Sequence, residues 1–394
     1  MIVIGGGSLV LPDKVIAGGS LLIDGDRIVG IEPGPVAPAG AEIHRFPEGV
    51  IVPGFIDVHV HGVGGRDVLD GPEAVQQVAL ALPSYGVTGF CPTSVACDPV
   101  TLSIFLASIS RARSAPNPAA ATVLSAHLES NFINPEWNGA QPADCLRTYR
   151  SSGEPRDGAF TAEAILRVLD DERSSVGIVT VAPEVGDGIE LVRMLKARGH
   201  LVSIGHSGAT YRQAKAAIDA GISHATHLFN RMTPLTHREP GVVGAVLESS
   251  RVAAEVICDG VHVHPSAVTL AVRAKSPDRV MAITDGTAAA ALPAGAAARL
   301  GGRRIIAGPR NATLEDGTLA GSIIMMDQAF RMLVNEAGLP LADAARLCAS
   351  TPAGQLGLTD RGRLSPGFRA DIVVLSPRLV VRQTWIGGRL VKEH

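Results

Sequence analysis

The sequence predicts an α/β fold: a (β/α)8, TIM-like barrel with a small β-sandwich domain assembled from both chain termini. Three observations predict it. Short apolar runs alternate with helical stretches through the middle of the chain, which is the signature of strand–loop–helix repeats. The two ends read instead as short strands joined by turns. Histidines and carboxylates close the apolar runs, and a barrel would gather those closing positions into one ring.

At the N-terminal end, Val15 to Ile31 alternates apolar runs around Asp24-Gly25-Asp26, a hairpin signal, and Pro33 to Gly40 is a connector. The other end repeats the style in Asp371-Ile372-Val373-Val374-Leu375 and Val380 to Ile386, with Gly387-Gly388 as a turn. Residues 1–52 and 360–394 are therefore expected to form one small β domain, and 53–359 the barrel. The barrel strands are expected at Phe55–His59, Val87–Cys91, Val123–Leu128, Val176–Ala182, Leu201–Gly205, Ala225–Phe229, Val252–Cys258 and Val280–Thr284. Helices are expected at Pro72–Tyr85, Thr161–Asp171, Gly188–Ala197 and Thr210–Ala220. No G-x-G-x-x-G follows the first strand and no G-x-x-x-x-G-K-[ST] occurs, which removes support for dinucleotide or P-loop chemistry.

Composition narrows the class. The chain has 394 residues, 46% hydrophobic and 19% charged, ample for a large core. No run approaches the roughly 18 apolar residues of a membrane span. Met1-Ile2-Val3-Ile4-Gly5 does not begin a secretory signal, so a cytoplasmic protein is expected. The 5 cysteines are odd in number and lack Cys-x-x-Cys spacing, which predicts reduced thiols. A net charge of −3 without a basic stripe argues against nucleic acid as partner.

His59 and His61 stand two apart at the end of the first strand, so their imidazoles share a side. Glu129, after His127, closes the third strand, His206 the fifth, His227 the sixth and Asp285 the eighth. Imidazole nitrogens and carboxylate oxygens suit Zn, Fe or Mn, so a divalent metal is expected. An ion with an open position acidifies water, and Asp285 is the candidate to take and return that proton.

The motifs Pro53-Gly54-Phe55-Ile56-Asp57-Val58-His59-Val60-His61-Gly62, His127-Leu128-Glu129, Gly205-His206-Ser207, Thr226-His227-Leu228-Phe229-Asn230, Arg238-Glu239-Pro240-Gly241, Asp259-Gly260-Val261-His262 and Thr284-Asp285-Gly286 resemble the amidohydrolase superfamily. Within it they resemble the branch that deacetylates N-acetylglucosamine 6-phosphate. The closing Gly367-Phe368-Arg369-Ala370-Asp371-Ile372-Val373-Val374 is also typical, so the resemblance covers nearly the whole chain. It implies that Glu129, His206 and His227 hold the principal ion. His59 and His61 would hold a second, with Glu129 bridging; one or two ions are compatible with it. Asp285 would be the base and then acid, and His262 would meet the sugar or the carbonyl. Arg238, in its own or a neighbouring subunit, and the backbone near Asn230 and Arg231 would hold the phosphate. A homodimer is the usual assembly. The fourth strand holds no lysine, which disfavours relatives that bridge two ions with a carboxylated lysine.

The chain departs from that branch at four residues, in three motifs around the substrate. Ser130-Asn131-Phe132 replaces Gly-Pro-Phe, Gly139-Ala140-Gln141 replaces Gly-Ala-His, and Asn230-Arg231-Met232 replaces Asn-Ala-Met. Gln141 can contact the substrate amide but cannot become a cation. A different N-acylated amino sugar is therefore the alternative substrate, and a non-catalytic scaffold on the same fold is the alternative of another class.

Overall fold

The computed structural model describes residues 1–150 and 160–394. Its centre is a ring of parallel strands: β1 Phe55–Val60, β2 Val87–Ser94, β3 Ala126–Leu128, β4 Val176–Val181, β5 Leu201–Ile204, β6 His224–Ala225, β7 Ala253–Ile257 and β8 Val280–Ile283. Each pairs in parallel with the next, from β1 on β2 through to β7 on β8. A parallel bridge between Val60 and Gly286 brings the first strand back to the last. Ile56, Val58, Cys91, Ile178, Ala253, Ile257, Met281 and Ile283 form the apolar cluster between the strands. Strands buried on both faces read as near-continuous apolar runs, which is why the sequence reveals them.

The surrounding helices follow local rules. Ala162–Asp171 starts at Thr161, whose hydroxyl accepts from the Ala164 amide at 3.2 Å. Tyr211–Ala220 starts at Thr210 with a full capping box to Gln213. Gly188–Ala197 matches its expected bounds. The expected helix Pro72–Tyr85 is shorter: it runs Ala74–Ala81 and tightens into a 3-10 turn at Leu82–Tyr85. Pro83 has no amide hydrogen to continue the ladder.

Both termini contribute to the outlying sheets. Ile372–Leu375 lies antiparallel to Val50–Pro53 in a six-stranded sheet, and Ile2–Gly5 sits in a four-stranded one. Leu9, Leu21, Ile23, Ile51, Ile372, Val374 and Trp385 share one core cluster. The expected hairpin is present, with Ser20–Asp24 against Arg27–Glu32. So is the Gly387-Gly388 turn, where both residues have positive φ, 54° and 71°, as a two-residue type I′ turn requires.

Three barrel strands differ by several residues from expectation, β2 running on from Cys91 to Ser94. β3 is preceded by a separate short strand, Thr122–Val123, and its own pairing with β4 slips in register between Ala126 and His127. β6 ends at Ala225 rather than Phe229. Leu228 and Phe229 are apolar but lie in a turn, where His227, Phe229 and Arg231 take positive φ of 31°, 81° and 51°. Apolar content alone does not distinguish that turn from a strand. The sequence reading also missed a small sheet after β8, formed by Ala297–Leu300, Arg303–Ala307 and Ala312–Thr313. No helix among the described residues is long and apolar enough to cross a membrane.

Candidate metal centre

Residues at or just beyond the C-terminal ends of the strands meet at one point. Glu129 Oε1 lies 2.8 Å from His206 Nε2 and 2.7 Å from His227 Nε2. The two imidazole nitrogens are 3.1 Å apart. On the other side, His59 Nε2 and His61 Nε2 are 3.2 Å apart. Glu129 Oε2 is 3.6 Å from His61 Nε2. Asp285 Oδ1 completes the ring at 3.2 Å from His61 and 3.4 Å from His59. All six side chains are buried.

The backbone explains how strands deliver these groups. His206, His227 and Asp285 have positive φ, 46°, 31° and 50°. Such angles are uncommon away from glycine and concentrate at functional sites. Each residue follows its strand by two positions, where the chain has begun to turn and the side chain can swing into the barrel mouth. No local sequence pattern specifies that twist.

The donor set fits a divalent ion. His61 Nδ1 faces the Thr93 carbonyl at 2.9 Å and His206 Nδ1 the Trp137 carbonyl at 2.8 Å. A carbonyl only accepts, so both rings carry their proton on Nδ1 and, when neutral, turn an Nε2 lone pair inward. His59 Nδ1 likewise donates, at 2.9 Å, to the Glu255 carboxylate. Paired Nε2 lone pairs at these separations repel unless a cation or proton lies between them. Burial opposes charge on His61, yet Asp285 and Glu129 hold its pKa up at about 9. His227 is pushed up to about 9 against burial by Glu129 and Asp285. Burial also opposes ionisation of Glu129, but His206 and His227 hold its carboxyl well below the ordinary range. Asp285 is lowered in the same sense by His59 and His61. The centre is built for positive charge, and two ligand groups offer it: His59, His61 and Glu129, and Glu129, His206 and His227.

Beside the ligands opens a cavity of about 320 Å³, lined among others by Gln141, Asn230, Arg231, Ile257, His262 and Asp285. His262 is oriented by Asp259. The Asp259 carboxylate accepts His262 Nδ1–H at 2.6 Å and the amides of Val261 and His262 at 2.8 Å each. A loop following the small late sheet contributes Gly317, Thr318, Leu319 and Gly321 to the wall.

Three of the four sequence departures are engaged by the protein itself. Ser130 Oγ donates to the Thr180 carbonyl. Asn131 Nδ2 donates to the carbonyls of Cys97 and Cys145 at 2.7 and 2.8 Å. Gln141 Oε1 accepts the Ala96 amide at 2.7 Å, which turns its NH2 toward Glu129 Oε2, to which it donates. Of the four, Arg231 alone is exposed at the cavity. Arg238 is exposed on the loop before Gly241 and is not among the residues lining the cavity. Trp137 holds His206 through its carbonyl rather than lining the cavity. Glu184 accepts from Asn134, Ser207 and Gly208, a bracing arrangement. Two residues escaped the sequence reading: Asp259 as the partner of His262, and Glu255. The signal for the second was a lone glutamate inside an otherwise apolar strand.

The amidohydrolase family model matches residues 50–391. The chain belongs to the amidohydrolase family. Its sequence is 34% identical over 388 residues to N-acetylglucosamine-6-phosphate deacetylase of Bacillus subtilis (strain 168), covering 97% of this chain and 95% of that one. It is equally 34% identical, over 365 residues, to N-acetylgalactosamine-6-phosphate deacetylase of Escherichia coli O157:H7, covering 92% of each. Among solved structures it superposes, with a TM-score of 0.88 and 31% identity over 99% of both chains, on a mutant N-acetyl-D-glucosamine-6-phosphate deacetylase of Mycobacterium smegmatis in complex with N-acetyl-D-glucosamine-6-phosphate. This amidohydrolase is thus a (β/α)8 enzyme of the class that cleaves amide C–N bonds.

Proposed function

We propose that this amidohydrolase removes the acetyl group of N-acetyl-D-glucosamine 6-phosphate, giving glucosamine 6-phosphate and acetate in amino-sugar catabolism. The observation that carries the reading is the convergence of Glu129, His206 and His227, with Asp285 beside them at the floor of a sugar-sized cavity.

Glu129, His206 and His227 would hold the principal ion, and His59, His61 and Glu129 a second; Zn, Fe and Mn all suit these donors. When bound, a divalent ion there acidifies water and polarises the carbonyl. Asp285 accepts the proton that water loses as its oxygen bonds to the acetyl carbon. His262, held by Asp259, faces the carbonyl oxygen and steadies the charge that develops on it. Asp285 then returns the proton to the amine nitrogen as the C–N bond breaks. Arg231 and the backbone at Asn230 face the 6-phosphate, and Arg238, exposed and outside the lining of its own cavity, serves the cavity of a neighbouring subunit in a homodimer. The five cysteines are all free, which supports a cytoplasmic setting. The same reading divides the chain into 1–52 with 360–394 as the small β domain and 53–359 as the barrel.

The equal identity to the galactosamine enzyme keeps one rival in play, the C4 epimer. A panel of four substrates, the gluco and galacto sugars each with and without 6-phosphate, tests both points. The highest kcat/KM on N-acetylglucosamine 6-phosphate is expected. A preference for the galacto epimer would replace the substrate, and a preference for unphosphorylated sugar would remove the phosphate roles of Arg231 and Arg238.

A further inference from the structure

Strand β7 reads Ala253-Ala254-Glu255-Val256-Ile257, with a carboxylate at the centre of a run that is otherwise apolar. Ala253 and Ile257, two residues to either side and on the same face, pack in the apolar cluster inside the barrel. Glu255 sits between them with 0% exposure. A lone carboxylate in such a place is costly unless donors surround it.

Four donors do. Oε2 accepts His59 Nδ1–H at 2.9 Å and the His227 backbone amide at 3.3 Å. Oε1 accepts His224 Nε2–H at 2.8 Å, and His127 Nδ1 lies 3.4 Å away. The cluster is a hydrogen-bonded network and not another ion site. His127 Nδ1 donates to the Val58 carbonyl at 3.1 Å, and its Nε2 is met by the Thr180 hydroxyl at 2.9 Å. His59 has already turned its other nitrogen toward the metal centre.

The two contacts at Oε2 matter most. One sets which nitrogen of His59 carries the proton. The other holds the backbone of His227, a residue in left-handed conformation. His59 comes from the first strand and His227 follows the sixth. A single carboxylate, on the seventh strand, touches one member of each ligand group.

We propose that Glu255 is a positioning residue of the metal centre: it locks the ring and tautomer of His59 and, through the His227 amide, ties both ligand groups to one buried anchor. The proposal rests on the metal reading of the site. It differs from a purely structural role, in which Glu255 would only satisfy buried histidines and its loss would weaken the loaded and metal-free proteins alike.

The test is Glu255→Gln in the full-length protein, which keeps size and shape but cannot accept from both rings and the amide as a carboxylate does. Metal per chain is measured directly, and the rate of Zn loss to a chelator is followed with a coloured indicator. Metal release 10- to 100-fold faster than wild type is expected, the usual effect of removing such an outer partner. Release at the wild-type rate overturns the proposal, even if the variant unfolds at lower temperature. Should the variant not fold, the wild type answers the question by 15N spectra of histidine-labelled, Zn-loaded protein, with His59 assigned by His59→Gln. Proton on Nδ1 and metal on Nε2 support the proposal; coordination through Nδ1 overturns it. A wild type that takes up no metal at all overturns the metal reading together with this inference, a different and separable result.

Discussion

Replacing Asp285 by Asn isolates proton transfer from metal binding. The substitution is isosteric, so the cavity keeps its shape. Asparagine tolerates positive φ better than most residues, so the 50° backbone at this position adds little strain. Asp285 Oδ1 sits 3.2 and 3.4 Å from the His61 and His59 nitrogens, at the edge of the centre where reacting water must lie. It does not belong to the group of Glu129, His206 and His227. An amide in its place can neither take up the proton nor return it. A positioned general base and acid contributes roughly 10²- to 10⁴-fold, so kcat should fall by that factor, about 3–5.5 kcal/mol of barrier. Metal content should stay within about twofold of wild type, and KM should change little. The assay is release of the free amine from the acetylated sugar phosphate, run beside elemental analysis of the same sample. A kcat within tenfold of wild type at full metal content would refute the proton-carrier role. Parallel loss of metal and activity would make Asp285 a ligand instead.

Three further outcomes follow from the geometry. Arg231→Ala removes the exposed cation at the cavity wall; a charge-assisted contact is worth about 1.5–3 kcal/mol, so KM for the 6-phosphorylated sugar should rise roughly 10- to 100-fold with little change for the unphosphorylated one. Gly62→Ala would place a Cβ 2.2 Å from the Arg66 carbonyl oxygen and 2.9 Å from the Ala288 amide, directly after His61. The backbone must shift, so denaturant titration should show a loss of about 1–3 kcal/mol, with weakened metal retention. Lys275 is buried, donates to the carbonyls of Val246 and Ser249 at 2.7 Å each, and is lowered by burial and Arg279 from 10.5 to about 8. The folded protein therefore sheds this proton before the unfolded chain does, and the Lys275 contribution to stability rises with pH between those two values. In metal-saturated protein, Lys275→Met should remove that rise from pH-dependent denaturation curves; an unchanged slope would contradict it.

The four outcomes draw on the sequence unequally. Asp285 stands out because aspartate after an apolar strand is a local fact, and so do His59, His61, Glu129, His206 and His227. The parallel strands are legible for the same reason, since burial on both faces leaves an unbroken apolar run. Gln141 shows the limit. Its replacement of histidine reads as a change in substrate contact, yet its amide is held between Ala96 and Glu129. Ser130 and Asn131 likewise turn toward carbonyls of the protein. A polar side chain in a loop carries no local sign of which way it will face.

By itself, then, the chain's order of residues determined the barrel, the chemistry of its candidate ligands and the acid–base candidate, because periodicity and donor type are properties of short segments. Tertiary structure alone decided that His206, His227 and Asp285 turn inward on left-handed backbone, that Asp259 steers His262, and that Arg238 is exposed outside the lining of its own cavity. It alone joined Glu255 to His59 across 196 positions. A hydrogen bond is chosen by distance and direction in space, and strands far apart in sequence acquire both only when the barrel closes.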